Sequence, residues 1–238
     1  MKTLVLTDNP GALSIAYELK ATYGDLDIFQ SPSGVLADVP RLDIKRDLAT
    51  IANGYSLVLS IHCQQIFPAA LISLVRCVNV HPGFNPFNRG WYPHVFSMVN
   101  GMKAGVTVHE MDEQIDHGPI ITQREYPIKP WDTSDTVYAH LIEMERQLLL
   151  EWFVRIRDCL YTPFMPDQDG NLNTRKDYDA LKKIDLDRVG KFGDFLMLLR
   201  SLSHGAYKNA YFIDEQGQRV YVKVILEKDT SEETSYSV

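Results

Sequence analysis

Between residues 2 and 81 short apolar runs alternate with longer segments of helical period, and this alternation constrains the fold more than any other feature. The runs are "KTLVLT" (2–7), "DIFQ" (27–30), "YSLVLSIH" (55–62) and "CVNVH" (77–81). Strands separated by helical crossovers lie parallel in one sheet. The first intervening segment, "DNPGALSIAYELKATYG", predicts a helix capped by Asn9, with Pro10 in its first turn and Gly24 as its stop. Leu13, Ala16, Tyr17 and Lys20 recur along it at helical spacing. The expected class is therefore α/β with a mainly parallel sheet. Ligands of such sheets sit beyond the carboxyl ends of the strands, which here means "TDNPG", "HCQQIFP" and "HPGFNPFNRGW".

Further along, "AGVTVHEM" (104–111) and "GPIITQREYPI" (118–128) read as two more strands around the polar loop "DEQIDH", which holds Asp116. Val137, Leu141, Met144, Leu148, Trp152 and Ile156 then keep a three-to-four spacing that predicts one long packing helix over 132–160, capped by Asp132 or Thr133. After Thr162 the chain turns polar, before "VGKFGDFLMLLRSL" predicts a helix and "NAYFIDEQGQRVYVKVIL" a hairpin turning at "DEQG". This divides the chain into a core domain (1–162), a polar connecting segment (163–189), a C-terminal helix and β-hairpin (190–228) and a disordered tail (229–238). A terminal hairpin is marginal by itself, so it is expected to dock on the domain or on a second subunit.

Composition removes several function classes. The formal charge of -7 argues against the basic surface that a nucleic-acid partner requires. No run approaches a membrane span, and the apolar start of the chain is shorter than a signal-peptide core, so a cytoplasmic location is expected. Cys63, Cys77 and Cys159 are scattered without C-x-x-C spacing and read as small hydrophobes in a reducing compartment. His62, His81, His94, His109 and His117 all fall near the strand ends but lack the short spacings of a structural metal site, so no metal is expected. Neither a nucleophile elbow nor a dinucleotide-binding glycine pattern is present.

A trio remains. Asn79 and His81 are alternate residues of one strand and point the same way, and Asp116 sits in a loop able to close over them. A carboxylate can hold an imidazole in one tautomer, the imidazole can move a proton near neutral pH, and an amide NH₂ can donate to a developing oxyanion. That set suits acyl transfer without a covalent enzyme intermediate. By spacing alone it competes with a purely structural reading in which the three serve caps and turns.

Two longer matches bear on the choice. "NVHPGFNPFNRG" resembles the N-x-H-P-S-x-x-P-x-x-R-G signature of the folate-dependent formyltransferases, and "GVTVHEMDEQIDHGPII" is similar to their G-x-T-x-H-x-M-x-x-x-x-D-x-G-x-I-I segment. Within that family the chain looks most like sugar N-formyltransferases acting on dTDP-linked 4-amino-4,6-dideoxyhexoses, enzymes of bacterial surface polysaccharide synthesis. The resemblance implies a Rossmann-like core, catalytic roles for Asn79, His81 and Asp116, and 10-formyltetrahydrofolate as the donor. It points to Gln65, Ile66, Phe67, Asp112 and Ile115 as the donor site. For the dTDP-sugar, candidates are Asn9 at the phosphates, with Phe84, Asn85, Arg89 and Trp91 in the acceptor loop; Trp91, Tyr92, Phe195 or Tyr211 could stack on thymine. Gly83 and Asn85 depart from the residues common in the family, Ser and Leu. Rival readings are methionyl-tRNA or glycinamide ribonucleotide as acceptor, or a non-catalytic binding protein on the same fold; a homodimer is expected, with the hairpin as a candidate contact.

Overall fold

The computed structural model describes residues 2–229. Four short strands, β1 (Thr3–Leu6), β2 (Leu26–Phe29), β3 (Leu57–Ile61) and β4 (Arg76–His81), pair in parallel, joined by α1 (Pro10–Tyr23), α2 (Leu48–Gly54) and α3 (Ala69–Leu74). After a two-residue strand β5 (Arg89–Gly90) and helix α4 (Pro93–Asn100), β6 (Ala104–Glu110) and β7 (Ile120–Tyr126) add on as antiparallel strands. The sheet order is β2-β1-β3-β4-β6-β7, so the mainly parallel α/β expectation holds. Leu4 and Leu6 face one side and Val5 the other, each fully buried, because both faces of the sheet are covered. Each such burial contributes about 1.5–3 kcal/mol.

The long helix α5 (Ser134–Arg157) covers one face beside α1. Its buried stripe runs through Val137, Leu141, Glu145, Leu148, Leu149, Phe153 and Ile156, while Met144 and Trp152 are only half-buried flanks. In α1 the buried stripe is Ala12, Ile15, Ala16 and Leu19; Tyr17 and Lys20 face outward, one position off the predicted face. The α5 stripe is broader than the predicted row because a seam between two helices and a sheet is wider than one row of side chains. Asn9 caps α1 by accepting from Ala12 N, and Thr133 caps α5 with its N–H donating to Thr136 Oγ1.

The segment 163–189, expected to be a polar connector, carries a short strand β8 (Leu172–Asn173) that pairs with β5, and a helix α6 (Arg175–Lys182). Thr174 and Asp177 cap α6 reciprocally, a local signal that the polar composition hid. Helix α7 (Phe192–Leu202) packs on α4, and Tyr178, Val95, Phe96 and Leu202 form a separate small core there. The hairpin is shorter than predicted, with β9 (Tyr211–Ile213) and β10 (Arg219–Tyr221). Val222 continues it by docking on that core, its N–H donating to Ala210 O. The expected disordered tail lies, from residue 230 on, outside the described residues.

Candidate active site

The carboxyl ends of β1, β3 and β4 open on a cavity of about 810 Å³, bounded across from them by the 111–119 loop and by α5. Asn79 and His81 reach it from β4. Asp116 meets them from the loop between β6 and β7, in the left-handed backbone region at φ 48°. Such a conformation is strained for a residue with a Cβ, and four contacts hold it. Asp116 Oδ1 accepts from Asn79 Nδ2 at 2.8 Å, and Oδ2 accepts from Gly90 N at 3.1 Å. Its backbone O accepts from Asn85 Nδ2 at 2.8 Å, and Oδ2 lies 3.4 Å from His81 Nδ1. Gly118 lets the loop close, since a Cβ there would sit 2.0 Å from Glu110 O.

Asp116 is held well below the ordinary carboxylate range. Its burial pushes the other way but is outweighed by the fields of His81 and His109 and by the Gly90 N–H. Burial dominates at His81 and lowers its pKa to about 4, against the pull of Asp116. The pair is thus a carboxylate beside a neutral imidazole. With Nδ1–H turned to Asp116, Nε2 is a lone-pair acceptor, and it is buried without a partner among the described residues. Gly83 leaves room for that atom, since a Cβ there would lie 2.4 Å from it. His94, also buried, is lowered to about 3 by the same desolvation. Both histidines bind protons more weakly folded than unfolded, so their contributions to stability are lost as pH falls from about 6.5 towards those values. We expect the His81 ring to remain neutral down to about pH 4 in a nitrogen-15 NMR titration; an imidazolium signal at pH 6 contradicts this assignment.

His109 stands opposite Asn79 in the β4–β6 register. Its Nδ1–H donates to Glu110 O at 2.7 Å, which leaves Nε2 to accept from Asn79 Nδ2 at 3.3 Å. Both amide hydrogens of Asn79 are therefore engaged. The longer one, to His109, is the one able to turn to a substrate oxygen.

The donor-site candidates gather on two loops of the same cavity. Ile66 is 70% exposed and Ile115 50%, with Phe67 and Asp112 beside them. Gln65 spends its side chain on Ile44 N and Leu42 O, and Asp112 pairs with His117 at 2.6 Å. Of the sugar-nucleotide candidates, Asn9, Trp91 and Tyr92 line the cavity. Phe84, Asn85 and Arg89 do not. Asn85 is 3% exposed and braces Asp116 from beneath, Phe84 packs against Gly105 under the Lys103 ammonium, and Arg89 lies in β5 with its Nε buried. Phe195 packs with Arg188, and Tyr211 with Tyr221 and Arg219, both outside the cavity lining. Phe84 and Asn85 lie off the lining because the β4–β5 loop folds inward beneath Asp116. Among the described residues no group of His, Cys, Asp or Glu side chains is arranged to hold a metal ion.

Three lining residues, His62, Tyr138 and His109, escaped the sequence reading as a site, as did Glu145 behind His62. Glu145 had a legible signal. It occupies a core-facing position four residues after Leu141 and three before Leu148, where an unpaired carboxylate cannot be buried cheaply.

A mainly parallel sheet that aims an amide, a neutral imidazole and a carboxylate into one cavity defines an enzyme built for group transfer. Residues 43–153 match the formyl transferase family, and residues 177–228 match the N-formyltransferase dimerization C-terminal domain. The chain is 54% identical, over 96% of its length and 98% of the relative's, to dTDP-4-amino-4,6-dideoxyglucose formyltransferase of Mycobacterium tuberculosis. Its structure matches a sugar N-formyltransferase from a Shewanella species with a TM-score of 0.91 at 38% identity, covering 96% and 98% of the two chains. It matches a 4-N formyltransferase from Francisella tularensis with a TM-score of 0.90 at 36% identity, covering 95% and 98%. The chain belongs to the formyl transferase family and is an N-formyltransferase.

Proposed function

We propose that the protein transfers the formyl group of 10-formyltetrahydrofolate to the 4-amino group of dTDP-4-amino-4,6-dideoxyglucose. The observation that carries this reading is the Asn79–His81–Asp116 cluster in a cavity of a chain 54% identical to an enzyme named for that acceptor. Two loops presenting the exposed side chains of Ile66 and Ile115 suit a flat pterin, with the commitments of the Gln65 side chain leaving its backbone to meet the ring edge. In the reaction the neutral sugar amine attacks the formyl carbon. Asn79 donates to the oxygen that becomes an oxyanion, and His81 Nε2 takes the amine proton. The tetrahedral centre then expels the folate nitrogen, which receives that proton from His81, while Asp116 holds the imidazole in its Nδ1–H tautomer.

Mass spectrometry of reactions containing 10-formyltetrahydrofolate should show the gain of one formyl group on this sugar nucleotide, and slower or no gain on its galacto epimer and on a 3-amino sugar. Transfer to methionyl-tRNA or glycinamide ribonucleotide instead would replace this reading with one of its rivals. The acidic charge of the chain favours the sugar nucleotide over the tRNA.

On this reading the protein is a homodimer joined through the C-terminal module. Phe192 is 82% exposed and Ile225 80% in the stretch that matches the dimerization domain. Light scattering on the full chain should return twice the monomer mass, and a monomer at micromolar concentration refutes it. The reaction is assigned to the cytoplasm as a step in building O-antigen or other lipopolysaccharide; no described helix is long and apolar enough to cross a membrane. Recovery of the protein in the membrane fraction would count against that location.

A further inference from the structure

The cap of α1 decides which way the Asn9 amide points. Oδ1 accepts from Ala12 N at 3.1 Å, so Nδ2 is the atom lying 2.9 Å from the Tyr138 hydroxyl. An amide nitrogen only donates, which makes the phenol oxygen an acceptor. The other neighbour of that oxygen is His62 Nδ1, at 3.3 Å. Which of those two donates depends on the proton count of the pair behind them.

His62 Nε2 lies 2.8 and 2.9 Å from the two oxygens of Glu145, which is fully buried. An ionised Glu145 beside a neutral His62 is a buried carboxylate without counter-charge, the costliest arrangement of the pair. An overall neutral pair holds one more proton, as imidazolium and carboxylate or as imidazole and carboxylic acid. Nε2 is the one partner of either Glu145 oxygen among the described residues, so in the second form the acid O–H donates to Nε2 and in both forms Nδ1 carries a hydrogen. Desolvation of His62 opposes its charging, but Glu145 and, more weakly, Asp116 raise its proton affinity above the ordinary value. His81 and His94, the other ionisable groups coupled to it, are the neutral histidines described above.

The phenol oxygen of Tyr138 thus accepts from both Asn9 and His62, and the phenol hydrogen finds no acceptor among the described residues. Asn9, His62 and Tyr138 all line the cavity that holds His81. We infer that Tyr138 is an acceptor-binding residue whose O–H donates to an oxygen of the sugar nucleotide, with the Asn9 amide and the His62–Glu145 pair directing that hydrogen into the cavity. The inference rests on the proposed function, which puts a sugar nucleotide there. It also gives Asn9, which holds Ala12 N and the Tyr138 hydroxyl, a part in ligand binding through the phenol.

Tyr138→Phe keeps the ring beside His94 and His204 and removes only the hydroxyl. In steady-state assays the KM for the dTDP-amino sugar should rise about tenfold, with kcat and the KM for the formyl donor within twofold of wild type. Inhibition by dTDP alone locates the contact: a parallel tenfold loss puts it on the nucleotide, and an unchanged constant puts it on the sugar. A folded variant with an unchanged acceptor KM overturns the inference. Nitrogen-15 NMR of the wild-type histidines decides it independently should the variant not fold. A hydrogen on His62 Nδ1 at pH 7.5 supports it, and a bare Nδ1 accepting from Tyr138 overturns it. If the wild-type protein binds the sugar nucleotide but transfers no formyl group, the proposed function fails while the ratio of Kd values in wild type and Tyr138→Phe still judges Tyr138; no binding at all overturns both.

Discussion

Replacing Asp116 by Asn is expected to lower kcat by a factor on the order of 10³ or more, with the fold retained. The carboxylate offers two acceptor oxygens to two fixed donors, Asn79 Nδ2 and Gly90 N, and its negative charge lies 3.4 Å from His81 Nδ1. An amide presents one oxygen and one NH₂. One donor is then left facing another donor, so the loop that carries residue 116 loses a constraint on its left-handed backbone. The imidazole loses the charge that selects its tautomer and that would stabilise it once protonated. Steady-state kinetics beside a circular-dichroism melt separate the two effects. A folded variant within tenfold of wild-type kcat would remove Asp116 from the organisation of the site.

His81→Ala should reduce kcat by a factor on the order of a hundred or more, with a smaller change in the KM of either substrate. The residue is 4% exposed, and its Nε2 is a buried acceptor with no partner among the described residues. Leaving a buried acceptor unsatisfied costs stability, so its retention fits a role that is filled only when substrate arrives. Because the ring is neutral above about pH 4, it is in the proton-accepting form throughout the physiological range. Loss of the imidazole removes the acceptor for the amine proton and leaves Asn79 and Asp116 in place. If the folded variant keeps near-normal turnover, proton transfer must run through another group, and His109 and His62 are the nearby candidates.

The parallel run of the first four strands and the shared side to which Asn79 and His81 point were both legible in the sequence alone, because each rests on a local repeat. A strand places residues two apart on one face, and βαβ alternation makes β1 to β4 parallel with their carboxyl ends together. Asn9 and Gly24 likewise announced the two ends of α1 by the chemistry of caps. Asp116 was legible as a member of the cluster, though not as the hub that binds Asn79, Gly90 and Asn85 at once.

Only the tertiary structure decided which of the remaining polar residues face the cavity. Asn85, Arg89 and Trp91 follow one another closely after β4, yet Asn85 and the Arg89 Nε are turned inward while Trp91 lines the cavity. Glu145 and Tyr138 sit on α5, and helical period can say that they share a face without saying that His62, from the end of β3, meets them there. The physical reason is range. Periodicity and capping arise from interactions between residues a few positions apart, whereas the proton held between His62 and Glu145 depends on two groups brought together across the core. Their joint desolvation is a property of the packed fold, and no local pattern encodes it.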